Sequence, residues 1–479
     1  MEATQLTAFD ASFLALDTPV SAGHVCLLAL LDQQVEPEQL HHQIASRLYL
    51  APLLRRKLKL PTFLVGRPWW VDDPDFDLDN HLSYTDLGGT GTQVDMCADA
   101  VAFSVGHLDR AKPLWELHLV GGLADGSGAL VTKFHHCAVD GIGKRDLLAL
   151  LFGIDESLDP HHRWRPDGGP GPLSRVGHRV TEATERTAAA LRLEVRAVTA
   201  VPSALLKASR GTAALIADGW ERLVEQPGSP ASEPGLPTPA ALSSPPSTPF
   251  NASITARRAW AWTSLPVAAS SPVRHRTGTS VNDILMACAA GALRAWLSEN
   301  NALPNDPLVT MVPMSARHDA KSVGNNQIVL TLCALPTHLE SAADRLAYTH
   351  AAMAQSKDSP TYPSSLMNDV AAVAGPMVTQ LLTQAAAAMH LADRVQLPFN
   401  LMISNVPAPA RRFQVGRSAT VVGTFPFPPI TDGLGLSITV QGYPGELCLG
   451  IGACPDLLPD PDRLRDLLVQ AHDELVALG

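Results

Sequence analysis

The chain has 479 residues, 46% of them hydrophobic and 17% charged, with a formal net charge of −11. That balance excludes a disordered chain, and the length predicts two or three domains rather than one core. The acidic surplus argues against general nucleic-acid binding, so a polyanionic ligand would need a local basic patch.

No apolar run reaches the roughly 18 residues that a transmembrane helix needs. The opening Met1-Glu2-Ala3-Thr4-Gln5 has neither the basic nor the apolar region of a secretory leader. The seven Cys are scattered, odd in number and without a C-x-x-C pair, which points to free thiols in a reducing compartment.

In chain order, residues 20–32 predict a strand and 37–50 a helix, with Ile44 and Leu48 among its apolar positions. Trp69-Trp70-Val71 precedes an acidic segment. Residues 113–120 predict a strand ending at Gly121-Gly122, and 128–134 a buried strand. Neighbours in sequence, the two predict a hairpin. A breaker cluster at 167–172 leads into helical sequence over 175–225. Residues 227–249 carry eight Pro among Ser, Gly and Ala and predict an extended linker.

The second half restarts with a predicted strand at 253–264. A strong helical pattern covers 284–297, with Ser280 or Asn282 as its cap and Asp283 suited to its first turn. Strands are predicted at 308–314, 327–334, 403–407, 418–423, 435–441 and 447–452. Helices are predicted at 340–356, 364–393 and 460–478. Strands and helices alternate in both halves, so the fold class is α/β (α+β), each half a mixed sheet with helices against it. The divisions fall at 1–160, 161–250 as a helical and Pro-rich crossover, and 251–479.

The stretch Phe134-His135-His136-Cys137-Ala138-Val139-Asp140-Gly141 carries the chemistry. The chain holds only 17 His, so a doubled His followed by Asp-Gly is not expected from composition. A strand precedes it and helical spacing follows over 142–152, a handover where α/β folds build sites. A His is mostly neutral at pH 7 and can accept a proton, which is worth about 10²–10⁴-fold in rate when positioned. Asp140 can fold back on the turn or pair with an Arg from elsewhere. Gly141 permits a backbone form or close approach that a Cβ would block. Ordinary packing is the alternative for the His pair, and packing is the better role for Cys137. The pair lacks the i, i+4 spacing of helical zinc sites, so no metal is predicted.

Taken together, these residues resemble the bacterial wax ester synthase/diacylglycerol acyltransferase family. That family lies within the CoA-dependent acyltransferases of chloramphenicol acetyltransferase-like fold. The larger group is marked by His136-x-x-x-Asp140-Gly141 and the narrower family by the doubling at His135. Further matches run in family order: Leu6-Thr7-Ala8-Phe9-Asp10-Ala11-Ser12-Phe13-Leu14, Arg55-Arg56-Lys57-Leu58, residues 69–78, Pro113-Leu114-Trp115, Val281-Asn282-Asp283, residues 312–317, Gly324-Asn325, Ser404-Asn405-Val406-Pro407 and Gly433-Leu434-Gly435-Leu436-Ser437. The chain departs from the family at Ala22-Gly23, where Pro-Met is usual, and at Ala408, where Gly is common.

The resemblance implies two chloramphenicol acetyltransferase-like domains with an active-site tunnel at their interface. It implies transfer of a long-chain acyl group from acyl-CoA to a fatty alcohol, a diacylglycerol or both. His136 would take the acceptor's hydroxyl proton as its oxygen attacks the thioester, with no covalent acyl-enzyme, no cofactor and no metal. Asp140 would pair with Arg317 as structural support. His135 would orient the loop or react. Asn282 would face the oxyanion or cap its helix, with Asp283 as support. Pro113, Leu114 and Trp115 would line the pocket or pack beneath it. Lys144, Arg145, Arg274, Arg276 and Lys321 would meet CoA phosphates or stand as solvated charges.

The substrates imply a cytoplasmic protein that meets the inner membrane or a lipid droplet peripherally. Residues 370–391 would be its contact face or an ordinary packing helix. Rival expectations are a same-fold acyltransferase with another hydroxyl acceptor, a non-catalytic lipid-binding protein, and a condensation domain acting on carrier-bound acyl groups.

Overall fold

The computed structural model describes residues 3–61, 66–139, 147–153, 245–315, 328–358, 376–409, 411–416 and 418–479, with five positions between 181 and 188. Most of the expected crossover at 161–250 lies outside the described residues.

The first half contributes β1 (Thr4–Gln5), β2 (His24–Leu31), β3 (Arg56–Lys59), β4 (Trp69–Asp72), β5 (Leu82–Gly91), β6 (Trp115–Leu123) and β7 (Gly128–His135). The second contributes β8 (Ala259–Pro266), β9 (Leu308–Ser315), β10 (Ile328–Leu335), β11 (Leu401–Val406), β12 (Gln414–Val415), β13 (Ala419–Phe427), β14 (Leu436–Tyr443) and β15 (Glu446–Ala453). They form a small sheet, β1-β4-β3, and two six-stranded sheets, β12-β13-β2-β7-β6-β5 and β10-β9-β11-β14-β15-β8. This is the mixed α/β architecture expected.

Each strand of the central pair has a sequence reason. Every residue of β7 is buried, as its near-continuous apolar run requires of a strand covered on both faces. It forms the expected antiparallel hairpin with β6. On its other side it pairs antiparallel with β2, setting His24 opposite His135. β2 starts at His24 rather than at residue 20, because Thr18 and Ser21 close a tight bridge before it.

The span 251–479 does not keep to its own sheet. β13 pairs antiparallel with β2, Phe427 opposite Cys26, so the first sheet is completed by the second half. The donated strand crosses close over β15. A Cβ on Gly450 would overlap the Pro426 carbonyl oxygen, and one on Gly452 would overlap that of Pro428. Around this contact Trp260 Nε1 donates to Pro426 O at 3.0 Å. The Trp262 ring lies 4.3 Å from Phe425. The Tyr443 hydroxyl accepts from Phe413 N at 3.1 Å and donates to Val421 O at 2.9 Å.

The helix Val281–Glu299 lies against its sheet with most of its length buried. Ser280 caps it: Ser280 Oγ accepts from Asp283 N at 3.2 Å, and the Asp283 carboxylate accepts from Ser280 N at 2.8 Å. This reciprocal box settles the choice between Ser280 and Asn282. The strand expected from residue 253 begins at Ala259 instead. Ser253 N and Ile254 N donate to the carboxylates of Asp393 and Asp432, at 2.7 and 3.0 Å, not to a neighbouring strand. The helix expected over 37–50 ends at Arg47 and tightens to a 3-10 turn at Leu48–Leu50, ahead of Pro52. Among the described residues no helix is long and apolar enough to cross a membrane.

Gly450→Ala should destabilise the fold by about 3 kcal/mol, the upper range for overpacking, because the new methyl meets backbone rather than a side chain that can turn away. The midpoint of urea unfolding checks this; an unchanged midpoint would mean that the strand crossing can relax.

Candidate active site

The chain leaves β7 at His135, and His136 opens the one-turn helix His136–Val139. The backbone is tied on both sides: His135 N donates to Leu114 O at 3.1 Å and His136 N to Gly23 O at 2.9 Å. Two neighbouring imidazoles are thereby held in unlike surroundings.

His135 is buried and engaged at both ring nitrogens. Its Nδ1 accepts from Cys137 N at 3.2 Å. The ring proton of the neutral form then sits on Nε2, which points at Asp17 Oδ2, 3.3 Å away. Both of its ring nitrogens are thereby occupied, one by the turn and one by Asp17. His136 keeps part of its surface exposed, and no described residue hydrogen-bonds its ring. It stacks on Phe13, with centroids 4.8 Å apart and planes within 14°. Burial, and then the neighbouring His135, pull its pKa down to about 4. At pH 7 it is the neutral, proton-accepting form.

Asp17 is the anchor of this arrangement. Burial pushes its carboxyl up, but hydrogen bonds and charge from His135, Gly23 N and Arg110 outweigh that and hold it well below the usual carboxylate range. Gly23 N–H donates to Oδ1 at 2.6 Å, while Arg110 Nη2 and Nε donate to Oδ2 at 2.9 and 3.2 Å. The glycine is required here: a Cβ at position 23 would lie 2.8 Å from both His135 Nε2 and Phe13 O.

A cavity of about 140 Å³ lies at the junction of the halves, walled by Ser21, His24 and His107 from one and Arg258, Phe427 and Pro428 from the other. His24, the ladder partner of His135, gives its Nε2 to Ser104 O at 2.7 Å. Burial pulls its pKa to about 4, against the Ser104 hydrogen bond.

Leu114 and Trp115 are buried in packing clusters on either side of β6. Trp115 Nε1 donates to Leu54 O at 2.7 Å and its ring stacks on His81 at 4.5 Å. With Pro113 beside them, these residues support the His turn from below, Leu114 directly through its carbonyl. Cys137 is buried and its thiol pushed well up by burial, as packing would have it.

Asn282 does not cap its helix; Asn405 Nδ2, on β11, donates to Asn282 Oδ1 at 3.4 Å. Asp283 is buried and bound to His350 Nδ1 at 2.9 Å, which fixes the start of the helix. Arg276 is exposed, and Arg274 partly covered, on the short helix Ser271–Thr277. Asp140, Gly141, Lys144, Arg145, Arg317 and Lys321 lie outside the described residues. The sequence reading missed Asp17, Arg110, Phe13 and Gly23 as a working group, and no local spacing marks them. Among the described residues, no cluster of three or more His, Cys, Asp or Glu could hold a metal.

The fold is shared with wax ester synthase/diacylglycerol acyltransferases and with condensation domains. The starter condensation domain of rhizomide synthetase RzmA, in a mutant form, matches with a TM-score of 0.51 over 99% of this chain and 95% of that one, at 15% identity, a likeness of fold alone. Residues 6–285 match the wax ester synthase/diacylglycerol acyltransferase catalytic domain and residues 324–476 the C-terminal domain of the same family; the chain belongs to that family. A putative diacylglycerol O-acyltransferase of Mycobacterium tuberculosis is 30% identical over 98% of this chain and 91% of its own length. A probable diacylglycerol O-acyltransferase of the same organism is 29% identical over 95% of each. The wax ester synthase/diacylglycerol acyltransferase of Marinobacter aquaeolei VT8 matches with a TM-score of 0.64 at 25% identity over 98% of both chains. The chain is an acyl-CoA acyltransferase of this family.

Two pH responses follow. If neutral His136 is required, kcat/KM should hold steady from pH 8 through 6 and fall only as pH approaches about 4; a limb near the ordinary His value of about 6.5 would contradict the assignment. Stability should drop in the same window. His24 and His136 titrate near 4 when folded and near 6.5 when unfolded, so between these values the unfolded chain binds more protons. The stabilisation present above about pH 6.5 is lost as pH falls toward 4, read as a falling Tm.

Proposed function

We propose that the protein transfers a long-chain acyl group from acyl-CoA to the hydroxyl of a diacylglycerol, with a fatty alcohol as the second acceptor class. The observation that carries this reading is the contrast at the His pair. One imidazole is bound at both nitrogens, and the next is neutral, partly exposed and unbonded by any described residue. The relatives named as diacylglycerol O-acyltransferases over nearly the whole chain favour diacylglycerol as acceptor.

His136 takes the acceptor's proton as the hydroxyl oxygen attacks the thioester carbonyl. The tetrahedral intermediate collapses with loss of the C–S bond, and the proton passes from His136 to the departing sulfur. An ester and free CoA thiol result, and atoms balance without an acyl-enzyme, a metal or a cofactor. Holding two long apolar substrates end to end at His136 supplies several kcal/mol of the barrier. The Asp140–Arg317 pair belongs to this reading as the support for the far end of the turn, and Asn282 as a donor toward the developing oxyanion.

In the same reading the protein meets its acceptor at a membrane or lipid-droplet surface. Leu381 and Leu382, in the middle of the helix Pro376–Ala388, and Met389, just past its end, are 59%, 64% and 62% exposed. That helix packs on the helix Ala8–Phe13 and the turn Leu14–Leu16. It therefore sets an apolar face beside the segment whose Phe13 backs His136.

Thiol release tests the reaction, using purified protein, palmitoyl-CoA and vesicles carrying dipalmitoylglycerol or hexadecanol. Release should depend on the acceptor and fall at least about 10²-fold in His136→Ala, the lower end for a lost general base. A folded His136→Ala variant with the wild-type rate would remove His136 from the mechanism.

A further inference from the structure

We propose that Asp17 is a positioning residue for this reaction, acting through His135 on the turn that carries His136, with Arg110 as its counter-charge. The inference rests on His136 being the base, and it adds a residue that no sequence motif singles out.

The Asp17 side chain is only 13% exposed, so it is not a solvated surface charge. Among the described residues, each polar partner it meets is a donor or a cation. Oδ1 accepts from Gly23 N at 2.6 Å and has His107 Nδ1 at 4.0 Å. Oδ2 accepts from Arg110 Nη2 at 2.9 Å and Nε at 3.2 Å, and from His135 Nε2 at 3.3 Å. Arg110 is fixed in turn, since its Nη2 also donates to Leu14 O at 2.6 Å. An amide at position 17 would present an N–H to one of these donors whichever way it turned.

The consequence passes through His135. With Asp17 accepting, the ring proton stays on Nε2 and Nδ1 is free to accept from Cys137 N. Without that acceptor the proton can move to Nδ1, where it opposes the Cys137 N–H and unties the first turn after β7. His136 sits between those two residues. A misplacement on the order of 1 Å costs about 10²-fold in rate. The segment 13–17 thus touches both imidazoles, Phe13 on the face of His136 and Asp17 on the edge of His135. Gly23 leaves the room in which they meet.

The test is Asp17→Asn, with Asp17→Glu as the conservative variant, each measured three ways: kcat and KM for palmitoyl-CoA, Tm, and the tautomer of His135. Nitrogen-15 NMR of His-labelled protein, assigned with His135→Gln, gives the tautomer. Asp17→Asn should lower kcat about 10²-fold with KM within a factor of about 3. His135 should leave the Nε2–H form, and Asp17→Glu should recover at least a tenfold part of the rate. Asp17→Asn that keeps both the wild-type kcat and the Nε2–H tautomer overturns the proposal. So does a rate that falls only in step with Tm while the tautomer stays unchanged. If wild-type protein shows no His136-dependent release at all, the reading of the previous subsection fails. The tautomer still reports on Asp17 directly in that case, and retention of Nε2–H in Asp17→Asn would overturn the present proposal as well.

Discussion

Two backbones that touch where a side chain would keep them apart hold the molecule together. Because Gly450 and Gly452 carry no Cβ, the carbonyls of Pro426 and Pro428 settle against β15. The strand Ala419–Phe427 can then cross over and join the other sheet. The crossing also shapes the junction of the two halves. It gives β2 a partner on its outer side and places Phe427 and Pro428 against the cavity that His24 and His107 wall from the first half. The two sheet-rich halves are thus joined by a strand that the second lends to the first.

Two adjacent residues of one type meet unlike surroundings. His135 has each ring nitrogen bonded, and its partner carboxylate is held ionised by the described donors around it. His136 is stacked against an aromatic face and kept neutral by burial. Burial acts in opposite senses on Asp17 and His136. The carboxylate resists it because hydrogen bonds and positive charge compensate the loss of water. The imidazole yields to it because no described group offers compensation. That difference leaves a stable charge close to a neutral imidazole.

Much of this was legible in the sequence. The β6–β7 hairpin followed from two apolar runs separated by a short turn, and the His turn from its place between a strand ending at Phe134 and helical spacing over 142–152. The family resemblance extended over nearly the whole chain because its short motifs occurred in the right order. Other features had no local signature. Asp17 and His135 are 118 positions apart, and nothing in either neighbourhood announces the other. A strand was readable at 418–423, but not its continuation to Phe427 nor its choice of sheet, since apolar alternation names no partner. The chain over 253–258 looks like a strand, yet carboxylates from distant loops take its backbone donors. Ser280 and Asn282 are both good cap residues; only the reciprocal bond from Asp283 distinguishes them.

Product analysis tests the central claim most directly. Carbon-13-labelled palmitoyl-CoA is supplied to the protein with diacylglycerol vesicles, and the lipids are resolved by mass spectrometry alongside His136→Gln. The account predicts labelled triacylglycerol in one-to-one proportion with released CoA, no acyl group on the protein, and neither product from the variant. Labelled free fatty acid without ester, or an acylated protein that accumulates during turnover, would contradict it.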